Sequence, residues 1–464
     1  MSSARFCSAL FSRDLAALCG GASTVQRQVW TGGVSASGLR RPLAGGDRAG
    51  VIGSDSEAPG MTDASPSAAR DKPVCPMGGS SSRLFSTLAQ SRNSTPLAKA
   101  DLYSVQNTVQ EMEEAQVDPE QLLRECEEAL QRRPARPHRD LVYPNGPTPH
   151  QHHHDHNHDH NPSIRVMQWN ILAQALGESK DGFVRCPVDA LNWEERKYLI
   201  LAEILTYRPD ILCLQEVDHY YDTFQPIMAS LGYHGSFLAK PWSPCLDVEQ
   251  NNGPDGCALF YRRSRFSLLA TSHLRLSAMM LPTNQVAIVQ MLCCQATGRR
   301  LCIAVTHLKA RSGWERLRSA QGADLLQNLR AITSRAITQG DAGMVTANSV
   351  PLIVCGDFNA EPSEDVYRRF SSSPLGLDSA YKLLSSDGQT EPAYTTWKIR
   401  PSGESCSTLD YIWYTQNALS VETLLDLPTE EQIGPDRLPS YHYPSDHLSL
   451  LCDVSFREQP NRLM

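Results

Sequence analysis

The feature that most constrains the fold is a series of short apolar runs between residues 164 and 454, each bounded by turn-forming residues. Runs of this kind are typical of buried β-strands. They lie at 164–169, 211–215, 257–262, 285–292, 301–306, 351–355, 410–414 and 448–454. Helical stretches separate some of them, at 192–206, 219–230 and 314–338. Because strands predominate and helices are interspersed, we predict one large α/β layered domain of about 290 residues.

The rest of the chain has a different composition. The first 50 residues are rich in Arg and Ser and contain two acidic residues, which is typical of a mitochondrial transit peptide. We therefore predict a transit segment at 1–60, and an Arg-containing disordered tail is the alternative. A mostly disordered linker is predicted at 61–161, then a catalytic domain at 162–456 and a flexible tail at 457–464.

The linker carries two distinct patterns. Residues 118–133 are predicted to form a short helix, because Asp118 can cap it and apolar residues then recur on one face. We expect this helix to pack on the domain, although a role in partner binding is the alternative. Residues 150–160 contain seven histidines in eleven positions. Such a tract can bind zinc, nickel or copper, but we interpret it as a low-complexity linker.

Charge and cysteine usage narrow the classes of function. The net charge of −8 favours a small substrate in a pocket over a protein that coats long nucleic acid, which is usually basic. The 14 cysteines contain no Cys-x-x-Cys pair, and several lie in apolar runs. We interpret these as buried side chains in a reducing compartment, namely Cys213, Cys302, Cys355 and Cys452. No apolar run reaches about 18 residues, and we predict no transmembrane segment.

Polar residues recur where the predicted strands end. Strand ends are the places where open α/β sheets build their ligand sites. The strand-end groups are Asn170, Glu216, His307, Asp357, Asn359, Asp410, Asp446 and His447. A single such group is a common consequence of a strand leaving the core, whereas six strand ends in series, all carrying Asn, Asp, Glu or His, indicate a shared site.

These residue types fit the hydrolysis of a phosphate ester at a divalent ion. Mg²⁺ prefers hard oxygen ligands and keeps several waters, so Glu216 and Asn170 suffice to hold it. Asp357 and Asn359 are two apart on an extended segment, which allows one to orient water while the other donates to phosphate. We expect Gly356 to allow a sharp backbone turn before them.

A histidine and a carboxylate complete the predicted chemistry. His447 is useful in its protonated form, as a hydrogen-bond donor to the phosphoryl group. A buried carboxylate such as Asp410 would raise the pKa of this imidazole and fix its tautomer. We therefore predict that the two side chains are paired.

The motifs also resemble a known family. In chain order they are Met-Gln-Trp-Asn-Ile-Leu, Leu-Gln-Glu-Val, Thr-His-Leu-Lys-Ala, Gly-Asp-Phe-Asn, Leu-Asp-Tyr-Ile and Ser-Asp-His. This ordered set resembles the endonuclease/exonuclease/phosphatase superfamily, and within it the branch related to CCR4-type deadenylases. The resemblance covers essentially all of 163–456. It implies a four-layer α/β sandwich of two facing mixed β-sheets flanked by helices, beyond which lies the disordered N-terminal extension.

The resemblance implies a role for each motif residue. Glu216 would be the principal Mg²⁺ ligand with Asn170 beside it, and one ion is expected with a second left open. Asp357 would orient the attacking water, and His447 would stabilise the transition state. The catalytic set implied by the resemblance is Asp357, Asn359, His447, Asp410, His307 and Asp446. The residues implied to line the substrate pocket are Lys240, Lys309, Arg311, Arg400 and Asn359.

Three functions are compatible with this resemblance. The first is removal of the 2′-phosphate of NADP⁺ and NADPH, with a link to circadian and metabolic regulation. The second is a 3′-exoribonuclease acting on poly(A), which the acidic charge and the lack of a basic or aromatic RNA track disfavour. The third is a scaffold in a regulatory complex, with regulatory protein partners. We expect mitochondrial and cytoplasmic pools of the protein, with a nuclear pool left open.

Overall fold

The computed structural model describes residues 117–144, 162–338 and 350–457. The predicted transit segment, most of the predicted linker with its histidine tract, and the tail after residue 457 lie outside these ranges. None of the helices in the described ranges is long and apolar enough to cross a membrane.

Fifteen strands form in the described ranges. They are β1 (Leu141–Val142), β2 (Ile164–Asn170), β3 (Ile211–Val217), β4 (Tyr233–Ala239), β5 (Gly256–Arg262), β6 (Phe266–Ala278), β7 (Leu281–Cys294), β8 (Arg300–His307), β9 (Leu352–Asp357), β10 (Leu377–Ser379), β11 (Thr396–Arg400), β12 (Gly403–Ser407), β13 (Asp410–Thr415), β14 (Leu419–Leu425) and β15 (Leu450–Phe456). Each of the eight predicted runs corresponds to one of these strands, within a few residues at its ends.

The α-helices of the described ranges lie between these strands. They are α1 (Pro119–Ala129), α2 (Val188–Leu191), α3 (Trp193–Tyr207), α4 (Gln225–Ser230), α5 (Glu315–Thr338), α6 (Asp365–Ser371) and α7 (Glu430–Ile433). The single helix predicted at 219–230 is in fact a π-helical turn, Tyr220–Phe224, followed by α4.

Two large sheets build the domain. The first has the strand order β1-β14-β15-β2-β3-β5-β4 and the second the order β10-β13-β9-β8-β7-β6. Both sheets are mixed, because β2–β3 and β8–β9 pair in parallel while the other pairs are antiparallel. The strands β11 and β12 form a separate hairpin. The resemblance therefore predicts the fold class correctly, as two facing mixed sheets with helices outside.

Alternation along the strands explains why the sheets face each other. In β2, Ile164 and Val166 belong to a core that both sheets share, whereas Met167 and Trp169 point to the other face and pack among helices. On the outer side of the second sheet, Leu325 of α5 covers the strands in the same way. Successive side chains of a strand point to opposite faces of its sheet, and both faces are buried here. The result is a helix–sheet–sheet–helix stack.

The segment 117–144, called here the N-terminal clamp, packs on the domain ahead of residue 162. Asp118 caps α1 by accepting a hydrogen bond from the Glu120 amide at 3.0 Å. The helix buries Leu122 and Cys126 against α3. Further along, β1 pairs with β14 at the edge of the first sheet. The folded domain therefore begins well before the boundary at residue 162 that the sequence predicts.

Candidate active site

The ends of three strands in the second sheet bring three site residues side by side. Asp357 ends β9, and its Cα partners across the sheet are Asp410 of β13 and His307 of β8. The neighbouring Gly356 is extended, not turned, so our expectation of a sharp turn there is wrong. A Cβ at this position would lie 2.5 Å from the carbonyl oxygen of Thr306. Gly356 is needed because β8 passes too close for a side chain.

Asn170 connects this row to the first sheet. Its Nδ2 donates to Oδ2 of Asp357 at 3.0 Å and to Oε1 of Glu216 at 3.2 Å. Its Oδ1 accepts from the backbone amide of Leu172 at 3.1 Å, which fixes the orientation of the amide group. One buried amide therefore joins the strand ends of both sheets, and the sandwich edge becomes a single site.

Glu216 lies at a break in the first sheet. Its φ of 57° is in the left-handed region, and the pairing of β3 with β5 shifts register at this point. Its Oε2 accepts from the amide of Ala173 at 3.2 Å. Burial raises the pKa of Glu216 to about 7, although Lys240 opposes the shift. A carboxylate whose charge is this poorly solvated is suited to a cationic partner.

His447 and Asp410 form a buried pair, as the sequence predicts. His447 Nδ1 lies 2.8 Å from Oδ2 of Asp410. Asp410 is itself held by Thr395, which donates at 2.7 Å, and by Gln168, which donates at 3.0 Å. Burial by itself would lower the pKa of His447, but the carboxylates of Asp410 and Asp357 overcome this and raise it to about 9. The imidazole is therefore protonated near neutral pH.

Asp357 lies between the two histidines. Its Oδ2 is 3.5 Å from Nε2 of His307 and 3.7 Å from Nε2 of His447. Burial raises the pKa of Asp357, with Asp410 adding to the shift and His447 opposing it. The pKa of His307 is well below its usual value because of its burial and the cations nearby. A carboxylate with a raised pKa is suited to take a proton from water.

Asn359 lies next to this carboxylate on the same turn. Its backbone amide donates to Oδ1 of Asp357 at 2.8 Å, and its φ is 50°. The side-chain nitrogen donates to the carbonyl of Leu308 at 3.2 Å. The two residues are therefore held in one fixed arrangement at the end of β9.

Asp446 accepts from two cations of β11. Nζ of Lys398 donates to its Oδ2 at 2.5 Å, and Nη2 of Arg400 lies 3.4 Å from the same oxygen. Burial would raise the pKa of Asp446, but the two cations and the protonated His447 hold it well below its usual range. Arg400 also donates to Asp181 at 2.8 Å.

The other three predicted pocket cations, Lys240, Lys309 and Arg311, differ in their surroundings. Lys240 is paired with Asp255 at 2.6 Å, and the carboxylates around it raise its pKa in spite of burial. Lys309 lies 5.6 Å from the ring centre of Trp314, and burial lowers its pKa. Arg311 is exposed, and the contact it makes is through its carbonyl, not its guanidinium. Lys240 and Lys309 both act on the pKa of His307, so they lie near the site, and Arg311 acts on the pKa of Lys309.

Comparison with known proteins agrees with this geometry. Residues 167–447 match the model of the Endonuclease/Exonuclease/phosphatase family. Nocturnin of Rattus norvegicus is 57% identical over 466 residues, covering 99% of both chains. Nocturnin of Homo sapiens is 60% identical over 390 residues, covering 84% of this chain and 85% of its own. The chain belongs to the endonuclease/exonuclease/phosphatase family, on its nocturnin branch.

Two solved structures are similar to this chain in sequence and fold. The human nocturnin catalytic domain with bound sulfate anion is 58% identical, with a TM-score of 0.55, covering 69% of this chain and 97% of that one. ANGEL2, a 2′,3′-cyclic phosphatase, is 25% identical in its complex with adenosine-2′,3′-vanadate. Its TM-score is 0.53, and the match covers 69% of this chain and 99% of that one.

Members of this family are metal-dependent hydrolases, and the site offers two groups of metal-binding atoms. Ligand atoms of Asp357, Asp410 and His447 lie within 4.8 Å of one another. The His447–Asp410 pair already satisfies part of this group through its own hydrogen bond. Glu216 instead presents a half-buried carboxylate, and Asn170 beside it carries an amide oxygen that accepts from the Leu172 amide. This donor set fits a hard divalent ion.

Sequence reasoning missed several residues that shape the site. Lys398 lies 3.4 Å from His447, and Gln168 and Thr395 hold Asp410 in place. Lys398 and Gln168 have a signal in the sequence, because residues two apart on a strand share a face. Lys398 is two residues from Arg400, and Gln168 is two residues from Asn170. Only the pairing of strands shows that these faces point into the site.

Proposed function

We propose that this protein removes the 2′-phosphate of NADP⁺ and NADPH, giving NAD⁺ and NADH, with Mg²⁺ held by Glu216 and Asn170. The observation that carries the proposal is the buried set formed by Asp357 and the protonated His447–Asp410 pair, with cations beside it. A phosphate monoester is dianionic at neutral pH, so it needs several cationic donors and one base for the attacking water.

The residues of the chain account for the hydrolytic step. Asp357, with its raised pKa, accepts a proton as water attacks phosphorus and the bond to the ribose 2′-oxygen breaks. The freed 2′-oxygen takes up a proton from solvent and leaves as the hydroxyl, and Asp357 returns its proton to solvent. His447, fixed and charged by Asp410, donates through Nε2 to a phosphoryl oxygen, where negative charge must be stabilised. A divalent ion would supply Lewis-acid stabilisation of the same charge.

The names of relatives support chemistry at a ribose 2′-position. ANGEL2 is described as a 2′,3′-cyclic phosphatase and binds adenosine-2′,3′-vanadate. The human protein named 2′,5′-phosphodiesterase 12 is 28% identical over 357 residues, covering 66% of this chain and 54% of its own. In the substrate we propose, the scissile bond likewise joins phosphorus to a ribose 2′-oxygen. The sulfate bound by the human nocturnin domain is also an analogue of phosphate in charge and shape.

A second candidate is 3′-exoribonuclease activity on poly(A). The Ccr4 3′-5′-exoribonuclease subunit of Yarrowia lipolytica is 29% identical over 329 residues, covering 59% of this chain and 45% of its own. The net charge of −8 weighs against a large electrostatic footprint for RNA. We therefore rank this activity second.

One experiment separates the two activities. Purified full-length protein is incubated with Mg²⁺ and either NADPH or oligo(A). Free phosphate from NADPH together with intact oligo(A) is the expected result, and a ladder of shortened RNA with inert NADPH would overturn the proposal. Glu216→Ala is expected to abolish whichever activity the wild type shows, since it removes the metal-binding carboxylate.

We also propose that the protein has mitochondrial and cytoplasmic pools. The proposal rests on residues 1–60, of which the first 50 are Arg-rich and acid-poor. Fusion of this segment to a fluorescent reporter is expected to give a mitochondrial signal. A diffuse signal from that fusion would contradict the proposal.

A further inference from the structure

Lys398 is a buried lysine beside the catalytic histidine for which the hydrolytic step above has no use. Its side chain is 11% exposed. Nζ donates to Oδ2 of Asp446 at 2.5 Å and lies 3.4 Å from Nε2 of His447. Taking an ammonium out of water costs free energy that one ion pair often fails to repay, so a buried lysine in a site calls for a second partner.

The backbone holds Lys398 at this place. Thr396, two residues earlier on β11, forms an isolated antiparallel bridge with His447. Its hydroxyl also donates to the carbonyl of Asp446 at 2.7 Å. Because residues two apart on a strand point the same way, Lys398 faces the same loop as Thr396. Its position near His447 is therefore set by strand geometry and not by a freely moving side chain.

The ammonium of Lys398 has N–H donors that Asp446 does not use. A lysine carries three N–H groups, and Asp446 takes one of them. Two nitrogens that are 3.4 Å apart can both lie within about 2.9 Å of one oxygen atom placed between them. Since Nε2 of His447 is itself 3.7 Å from Oδ2 of Asp357, such an oxygen would lie beside the carboxylate that takes the proton from water.

We propose that Lys398 is a phosphate-binding residue, whose ammonium donates to the same phosphoryl oxygen as Nε2 of His447. The inference rests on the proposed phosphatase function, but it does not depend on which phosphate ester is the substrate. Asp446 then acts as a positioning residue, because it holds Lys398 and Arg400 from one carboxylate oxygen. With substrate bound, Lys398 and Arg400 lie between the carboxylate of Asp446 and the phosphate.

Binding of inorganic phosphate tests the proposal directly. Phosphate is titrated by calorimetry into full-length protein with Mg²⁺, as wild type and as Lys398→Met. Loss of one charge-assisted hydrogen bond is expected to weaken phosphate binding about 10–100-fold. Equal affinities of the two proteins would overturn the proposal. If Lys398→Met shows no cooperative thermal transition, Lys398→Gln takes its place in the same comparison.

Lys382→Met is a matched control. Lys382 is also a shielded lysine, 13% exposed, and it pairs with Asp378 at 2.9 Å. Asp378 lies opposite Tyr414, toward the far end of β13 from Asp410. This variant is expected to bind phosphate like wild type. A comparable loss in Lys382→Met would show that removing any buried lysine weakens binding, and it would remove the special role of Lys398.

A double variant separates donation from mere neutralisation. Lys398→Met leaves Asp446 with less positive charge near it, and this carboxylate could itself repel phosphate. Lys398→Met/Asp446→Asn removes both charges but still lacks the ammonium donor. We expect phosphate binding to stay weak in the double variant. Recovery to the wild-type affinity would show that Lys398 only neutralises Asp446, and it would overturn the proposal.

The substrate assay distinguishes failure of this inference from failure of the proposed function. If wild-type protein releases no phosphate from NADPH, the substrate is wrong, and the calorimetric comparison still decides the role of Lys398. If wild type hydrolyses NADPH, the value of kcat/KM in Lys398→Met is expected to fall by about the same 10–100-fold. Hydrolysis at the wild-type rate by Lys398→Met would contradict the inference alone.

Discussion

The N-terminal clamp and the active site both bury charged groups, but they use them differently. In the clamp, Arg139 donates to the Asp426 carbonyl at 2.7 Å, to Glu203 at 3.3 Å, and to the hydroxyl and carbonyl of Ser449 at 2.8 and 2.7 Å. Each of its three nitrogens is engaged. In the active site, Lys398 has one carboxylate partner and donors in reserve.

The difference shows how a buried charge can be assigned to stability or to chemistry. A saturated group such as Arg139 has nothing left to offer a ligand, and removing it leaves its partner Glu203 with less compensation. A group such as Glu216 or Asp357 is held by few donors and has a raised pKa. A charged group in a cleft can bind a substrate or a metal when the protein's own hydrogen bonds and ion pairs do not use all of its capacity. Four predictions test this distinction.

The largest effect is expected for Glu216→Gln. Loss of the metal-binding carboxylate should lower kcat/KM by about 10³-fold, since metal stabilisation of the transition state amounts to several kcal/mol. In EDTA at pH 8 the same variant should melt at a higher temperature than wild type. Burial disfavours the charged form of Glu216, so wild type loses stability as the pH rises from the unfolded pKa near 4.5 toward about 7. Glu422→Gln, an exposed change, is the control for both measurements.

The clamp should show the opposite behaviour in Arg139→Met. We expect the free energy of unfolding in urea to fall by about 3–5 kcal/mol, because a buried ion-pair partner is removed. The kcat of the folded fraction should stay at the wild-type value. The control is Arg124→Met in the same segment, whose side chain is 62% exposed. A lower kcat in Arg139→Met, with the free energy of unfolding unchanged, would contradict the assignment of Arg139 to stability.

Asp410→Asn is expected to change the pH dependence of hydrolysis. Activity needs protonated His447, so kcat/KM of wild type should fall as the pH rises through about 9. Without the carboxylate, the pKa of the imidazole falls, and this alkaline limb should move to lower pH by at least about one unit. A pH profile of both proteins measures the shift. Identical alkaline limbs would show that His447 is not the group that titrates.

The smallest effect is expected for the helix cap of the clamp. Asp118→Ala removes the acceptor for the Glu120 amide and should cost about 1 kcal/mol of stability. Hydrogen exchange should become faster at the amides of the first turn of α1, with NADPH hydrolysis unchanged. Asp118→Asn keeps an acceptor oxygen and should restore most of the protection. Equal loss in both variants would mean that the charge, not the cap, is what matters.

Two of the strands that were missed, β6 and β12, share a physical reason. Residues of β6 alternate weakly and several are exposed, and β12 is exposed along most of its length. Strands like these are stabilised by pairing with a neighbouring strand, and the hydrophobic pattern of a sequence does not predict such pairing. By contrast, β2, β3 and β9 are buried on both faces and stand out as apolar runs. The free, buried Cys213 and Cys355 in these runs also agree with their prediction as core side chains.

The sequence by itself determined the core strands and the set of strand-end groups, because short apolar runs and the chemistry of carboxylates and histidines are local properties. Its ordered motifs determined the family and the fold class by resemblance. Tertiary structure alone decided which charges meet. The contact of Lys398 with His447, the bridge that Asn170 makes between Glu216 and Asp357, and the saturation of Arg139 each join residues far apart in the chain. Such contacts depend on strand register and sheet packing, which are set by the whole domain at once.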